Sequence, residues 1–249
     1  MEFNRGINMI YRRGTYAQNN ATSPIIPPIQ SGLICDFNFN DSSSYDWFTS
    51  TSAVTSLTGT NNGVISGTVV NSDLTTPVGA VNVFGTDTNG DKSLYCYGSG
   101  SSNNIRVNTT VNLTNWSASF RIKHRANIGA GYDRMFGTRN YRMELVLNYY
   151  SQIWYYQSGW VNTGISIPND GQFHSVDWTY QNSPRQFKIY LDGVLVYSTT
   201  AKGTTLVSSS YYWVMGSQDS RNTIQQVNRH LLYNRTLTQA EVVANLNIY

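Results

Sequence analysis

The segment Phe187-Lys188-Ile189-Tyr190-Leu191-Asp192-Gly193-Val194-Leu195-Val196-Tyr197 constrains this chain most, because it sets Asp-Gly between two alternating runs. A two-residue loop between antiparallel strands needs positive φ, which Gly adopts without steric cost. The segment therefore predicts a tight hairpin turning at 192–193. The same period-two pattern recurs along the chain. Ala118, Phe120 and Ile122 form one inward set, Met143, Leu145 and Leu147 a second, and His174, Val176, Trp178 and Tyr180 a third. Alternation of this kind predicts strands buried on one face. Charged residues are only 12% of the 249, where an average globular chain has roughly 25%. Ser, Thr, Asn, Gly and Tyr take their place, a mixture that favours strands and turns over helices. The expected class is all-β, and the length suits one large β domain.

The one expected helix is C-terminal. Thr238-Gln239-Ala240-Glu241 fits a capping box, and Val242, Val243 and Leu246 follow as an apolar stripe. Residues 1–30 read differently from 31–249. They lack a sustained apolar pattern and end in Ser23-Pro24-Ile25-Ile26-Pro27-Pro28, which favours an extended arm. That arm lacks the apolar core of a signal peptide, since Arg5, Arg12 and Arg13 interrupt it. No apolar run approaches the ~20 residues of a membrane-spanning helix. A net charge of +3 without dense Lys/Arg clusters is no nucleic-acid signature. Cys35 and Cys96 are each set in a strand pattern and are expected to be buried thiols rather than a disulfide framework.

The order of features resembles the laminin-G-like jelly roll of the concanavalin-A-like lectin/glucanase superfamily. Leu33 to Phe39 is similar to its opening strand. Ser44-Tyr45-Asp46 and Thr60-Asn61-Asn62-Gly63-Val64-Ile65-Ser66-Gly67 resemble its first long loop. Ser93 to Gly100 and Trp116 to Lys123 are similar to the next two strands. Gln172-Phe173-His174-Ser175-Val176-Asp177-Trp178-Thr179-Tyr180, with Lys188-Ile189-Tyr190-Leu191-Asp192-Gly193, resembles the family's paired strands. Leu232 to Val242 is similar to its closing strand and helix. The family usually has Trp at Phe173, and a Gly and an Asp near Gln225 and Asn228. The resemblance implies a jelly-roll β-sandwich over residues 32–249. It also marks Asp46, Asn61 and Asn62 as the place where related domains hold a structural calcium, although Asn228 offers a neutral oxygen there. No other cofactor is expected.

The superfamily includes glycosidases, whose chemistry normally needs two carboxylates flanking the scissile bond. The chain has three glutamates. Glu2 is in the arm, Glu241 is in the capping box, and Glu144 has Val146 and Asn148 as its same-face neighbours. No enzyme activity is expected. Neither a nucleophile elbow nor a metal-ligand spacing among His124, His174 and His230 changes that. The loop Asp87-Thr88-Asn89-Gly90-Asp91 lacks an EF-hand's spacing and reads as a hairpin loop.

Sugars are held by aromatic faces and a few amide hydrogen bonds. Tyr149 to Trp160 is unusually aromatic. If Ile153 and Tyr155 face the core, Trp154 and Tyr156 face outward, so Trp154, Tyr156 and Trp160 are the candidate carbohydrate-binding residues. The alternative is that they pack under the arm or against another chain. Arg121, Lys123 and Arg125 share the polar face of one strand and read as a solvated or edge-protecting row, with contact to acidic sugars as the alternative.

Two roles fit. The first is a bacteriophage virion structural protein, a capsid decoration, head fibre or tail-associated component. Its arm would bury Met9, Ile10, Tyr11, Ile25 and Ile26 against other virion proteins and pair Arg5, Arg12 and Arg13 with acidic groups. Host-surface glycans are the further expected partner, and a homo-oligomer is compatible with that role. The second is a secreted bacterial carbohydrate-binding adhesin, placed at the cell surface.

Overall fold

The computed structural model describes residues 28–41, 43–45, 53–58, 61–66, 69–71, 82–86, 90–96, 104–107, 111–124, 132–138, 144–148, 152–156, 159–200, 205–208, 212–216 and 225–248. Among them are nineteen strands and one helix. In chain order the strands begin with β1 (Leu33–Asn38), β2 (Ala53–Val54), β3 (Gly63–Ser66), β4 (Val69–Asn71), β5 (Asn82–Thr86) and β6 (Lys92–Cys96). Next come β7 (Asn104–Val107), β8 (Val111–Leu113), β9 (Trp116–His124), β10 (Tyr132–Thr138), β11 (Glu144–Asn148), β12 (Gln152–Tyr156) and β13 (Trp160–Ser166). The last are β14 (Phe173–Asn182), β15 (Arg185–Leu191), β16 (Val194–Thr199), β17 (Leu206–Ser208), β18 (Tyr212–Gly216) and β19 (Gln225–Tyr233), followed by α1 (Gln239–Leu246).

The strands form two large sheets. One runs β16-β15-β14-β9-β19-β6-β5-β4, with β1 also paired to β19. The other runs β13-β12-β11-β10-β18-β7-β3-β2, and β8 and β17 make a separate ribbon. Of the described pairs only β4–β5 is parallel. Inward side chains of the two sheets interlock as aromatic pairs. Phe136 of the second sheet lies 5.8 Å from Trp116 and 6.1 Å from Phe120 of the first. Tyr155 and Phe187 are 5.1 Å apart, and the Tyr155 and Tyr197 hydroxyls meet at 3.2 Å. The chain is therefore an all-β sandwich, as the alternation predicts.

The 192–193 hairpin is present. Leu191 faces Val194, and Asp192 and Gly193 have φ of 49° and 76°, the double positive φ of a type I′ turn. Gly is needed there for a second reason. A Cβ on Gly193 would sit 2.8 Å from Leu246 Cδ1 and 3.0 Å from Val243 Cγ2, because α1 packs on the turn. The helix starts as expected: the Thr238 hydroxyl accepts from the Glu241 N–H at 3.3 Å, and Glu241 accepts from the Thr238 N–H at 2.9 Å. Of its apolar stripe Val242 is fully buried, whereas Val243 remains 43% exposed.

One expectation is corrected. β14 is buried on both faces, not one, over His174 to Tyr180. Its even-numbered side chains enter the core between the sheets. Its odd-numbered ones lie on the outer face, beside a second core. That core joins Val242 and Leu237 to Tyr190, Leu231 and Tyr233, with Ile29, Leu33 and Ile248 against it. Asn245 ties the layer together, donating to the Tyr233 hydroxyl at 3.0 Å and accepting from the Ile29 N–H at 3.1 Å. Pro28 is buried, so residues 28–30 at the end of the arm belong to the packed domain.

Candidate functional site

β12 alternates cleanly. Ile153 and Tyr155 are fully buried, while Gln152, Trp154 and Tyr156 are turned to the opposite face and only half-buried. On β13 Trp160, Asn162, Gly164 and Ser166 are exposed. The register puts Tyr156 opposite Trp160 and Trp154 opposite Asn162. Tyr156 and Trp160 meet edge to face, 5.2 Å between centroids at 65°, an arrangement the ring quadrupoles favour. Trp160 is 42% exposed. Asn162 Nδ2 reaches Gln152 Oε1 at 3.5 Å, setting two amides further along the same face, past Trp154.

A bulge fixes this corner. Between the Trp154–Asn162 and Gln152–Ser166 pairs β13 carries two extra residues. Gly164 there has a φ of 75°, and its N–H bonds the Asn162 side-chain oxygen at 2.9 Å. Thr163 donates to the Ile153 carbonyl at 2.7 Å and accepts from the Ile165 N–H at 3.2 Å. Bulges of this kind re-aim side chains at sheet edges. The result is an outward aromatic pair on β12 and β13, with amides further along the same face. It suits stacking against a sugar ring.

Of the three calcium candidates the structure describes Asn61 and Asn62. Asn61, at a φ of 57°, donates to the Ile34 carbonyl at 2.7 Å, and Asn62 accepts from the Ser56 N–H at 3.0 Å. Both side chains hold the loop in place, and Asp46 lies outside the described residues. Asn228 donates to the Lys92 carbonyl and accepts from Arg121 at 3.1 Å. Among the described residues no group of three His, Cys, Asp or Glu could hold a metal ion. Asp91, just before β6, pairs with Arg121 at 3.2 Å, and residues 87–89 lie outside the described residues. Arg121 and Lys123 lie over the Phe173 ring at 4.8 and 5.6 Å. Arg125, the Glu144 and Cys96 side chains, and Arg5, Met9, Ile10, Tyr11, Arg12, Arg13, Ile25 and Ile26 of the arm fall outside the described residues. Cys35 is buried in the main core.

Sequence reasoning missed three polar constellations, all in the first sheet. Asp36 and Arg229 form a buried bidentate ion pair, with contacts of 2.9 and 2.7 Å. Asp177 is buried between the Ser119 and Ser175 hydroxyls, both of which donate to it. Burial pushes its carboxyl up to about 7 against the serine hydrogen bonds. His174 bridges Asp192 at 2.8 Å and Asp170 at 3.1 Å. Burial alone would lower its pKa, but the two aspartates together raise it. His230 is the opposite case: it is fully buried, stacked on Phe120 at 4.3 Å, and pushed down to about 3 by desolvation. It is a neutral core residue. The signal available in sequence was the stripe on α1, which has to bury itself against some sheet face and thereby encloses polar positions such as Asp177.

No protein-family model and no curated protein matches the sequence. Solved structures do match in fold. Domain 4 of AbnA, an extracellular arabinanase from Geobacillus stearothermophilus, was solved with arabinotriose. It aligns with a TM-score of 0.57 at 18% identity, over 86% of this chain and 98% of that one. Trypanosoma rangeli sialidase aligns at 0.57 and 15%, over 86% of this chain and 32% of the sialidase. The receptor-binding domain of botulinum neurotoxin type G aligns at 0.57 and 13%, over 88% and 51%. The chain thus spans about a third of the sialidase and half of the toxin domain. At these identities the likeness shows one thing, the all-β sandwich fold shared with these proteins.

Proposed function

We propose that this domain binds carbohydrate without turning it over, and that it is displayed on a virion through its N-terminal arm. The observation that carries the binding reading is the outward Tyr156–Trp160 pair, with Trp154, Asn162 and Gln152 further along the same face. An aromatic face with adjacent amides matches the apolar faces and hydroxyls of a pyranose or furanose. A domain of the same fold bound to arabinotriose supports carbohydrate as the ligand class. The non-catalytic reading rests on the glutamates. Glu241 is engaged by Arg235 at 2.7 and 3.0 Å and by the helix cap, and Glu144 has no acidic same-face neighbour in sequence.

A glycan array with the wild-type chain and the Tyr156→Ala/Trp160→Ala variant tests the binding. Signals lost in the variant support it; absent signals, or signals that survive in the variant, overturn it. The virion reading is supported by the arm's Pro-rich, Arg-containing sequence and by its entry into the domain at Ile29, beside α1. Deleting residues 1–27 keeps Ile29 in place. The shortened chain is expected to fold and to fail to enter particles. If it enters them normally, the arm is no anchor; if the full chain enters no particle either, the adhesin reading takes its place.

A further inference from the structure

We infer that a second ligand site, specific for a carboxylate-bearing sugar such as a uronate, lies on the other sheet, in the cleft between β14, β15 and the start of α1. The cleft has a volume of about 300 Å³, room for a sugar ring with its substituents. Its walls carry the amides of Gln181, Gln186 and Gln239, the hydroxyl of Thr179 and the ammonium of Lys188, with Leu195 as an apolar side. No carboxylate is among the described residues that line it.

Charge is what gives the cleft its selectivity. Three arginines in or beside this sheet have acidic partners: Arg121 has Asp91, Arg229 has Asp36 and Arg235 has Glu241. Lys188 has no polar partner among the described residues, and neither has Gln186, two positions along the same strand face. An ammonium and an amide standing free in a cleft that contains no anion are complementary to a carboxylate and an adjacent hydroxyl. The other walls are also oriented by the fold. Gln181 Nε2 is tied to the Ser183 carbonyl at 3.0 Å and Gln239 Nε2 to the Gly193 carbonyl at 3.3 Å. With their nitrogens engaged, both amides keep oxygens available to accept from sugar hydroxyls. The nearby helix start adds nothing to the argument, since Thr238 and Glu241 already cap it.

The site is independent of the β12–β13 face, so the two can fail separately. The test is calorimetric titration of the full chain with trigalacturonate, its methyl ester and inorganic phosphate. Wild type, Lys188→Gln, Lys188→Arg and Tyr156→Ala/Trp160→Ala are compared after circular dichroism has confirmed folding. Trigalacturonate is expected to bind wild type and Lys188→Arg. Its affinity should fall by about tenfold in Lys188→Gln, as when one charge-assisted hydrogen bond is lost, and to a similar extent in the methyl ester. The aromatic double variant should bind it unchanged. No binding, or binding indifferent to Lys188→Gln, overturns the inference. Binding lost only in the aromatic double variant overturns it too, while leaving the β12–β13 proposal standing. Phosphate competing as well as the uronate reduces the cleft to a plain anion site and likewise overturns it.

Discussion

The outer face of the first sheet has Asp177, Tyr190, Leu231 and Tyr233 buried in a layer with α1 and residues 28–33, whereas the outer face of the second leaves Trp160, Asn162 and Ser166 exposed on β13. Both faces come from the same period-two alternation, and what lies over them differs. On the closed face polar groups had to find partners inside the protein, hence the Asp36–Arg229 pair and the serine-held Asp177. On the open face they did not, and large rings were left exposed. Mutations inside the layer under α1 should therefore be read out in stability, and mutations on the open face, like those in the Lys188 cleft beside that layer, in binding.

The largest expected effect is at Arg229. Arg229→Met leaves Asp36 buried without its partner and should cost about 3–5 kcal/mol in urea unfolding. A cost below about 1 kcal/mol would mean that the pair contributes little to the closed face.

Two glycines sharpen the contrast. Gly193 and Gly164 have nearly the same φ, 76° and 75°, but only Gly193 has side chains over it; nothing lies within 4 Å of a Cβ at Gly164. Alanine at either should cost roughly 1–2 kcal/mol for the left-handed backbone. Gly193→Ala should lose about 1 kcal/mol more, from contact with Leu246 and Val243. Equal losses would show that α1 does not press on the turn.

Much of this was legible in sequence and some was not. The hairpin at 192–193, the capping box at Thr238 and the outward turn of Trp154 and Tyr156 each depend on neighbours in the chain, so local pattern reports them. The Asp36–Arg229 pair joins residues far apart in sequence, and Ser175-Val176-Asp177 has the pattern of a strand open to solvent on one side. What buries Asp177 is the layer that α1 closes, and a strand's own alternation carries no record of that layer. For the same reason the apolar stripe of α1 does not report that Val243, beside Gly193, stays 43% exposed.

Asp177 gives the third prediction, which depends on pH. Its folded pKa, about 7, is raised above the unfolded value, so its contribution is fully present at low pH and is lost as pH rises from about 4 to about 7. Asp177→Asn does not ionise and retains both serine contacts with one reversed, its amide N–H donating to one serine hydroxyl. Its melting temperature should exceed that of wild type at about pH 8, with the gap narrowing toward about pH 4.5. A gap independent of pH would show that Asp177 is solvated when folded.

The smallest stability effect belongs to the open face. Tyr156→Ala/Trp160→Ala should shift unfolding by no more than about 1 kcal/mol, because Trp160 is exposed and Tyr156 half-buried.

The central claim is that this open face binds carbohydrate, and the most direct test is NMR of the tryptophan indole N–H signals during titration with arabinotriose and other neutral oligosaccharides. The six tryptophans include Trp116 and Trp178, both fully buried, which serve as internal controls. The account predicts saturable shifts at Trp160 and Trp154, little change at Trp116 and Trp178, and loss of the response in Tyr156→Ala. Saturable shifts that spare Trp160 and Trp154, or no response to any oligosaccharide, would contradict it.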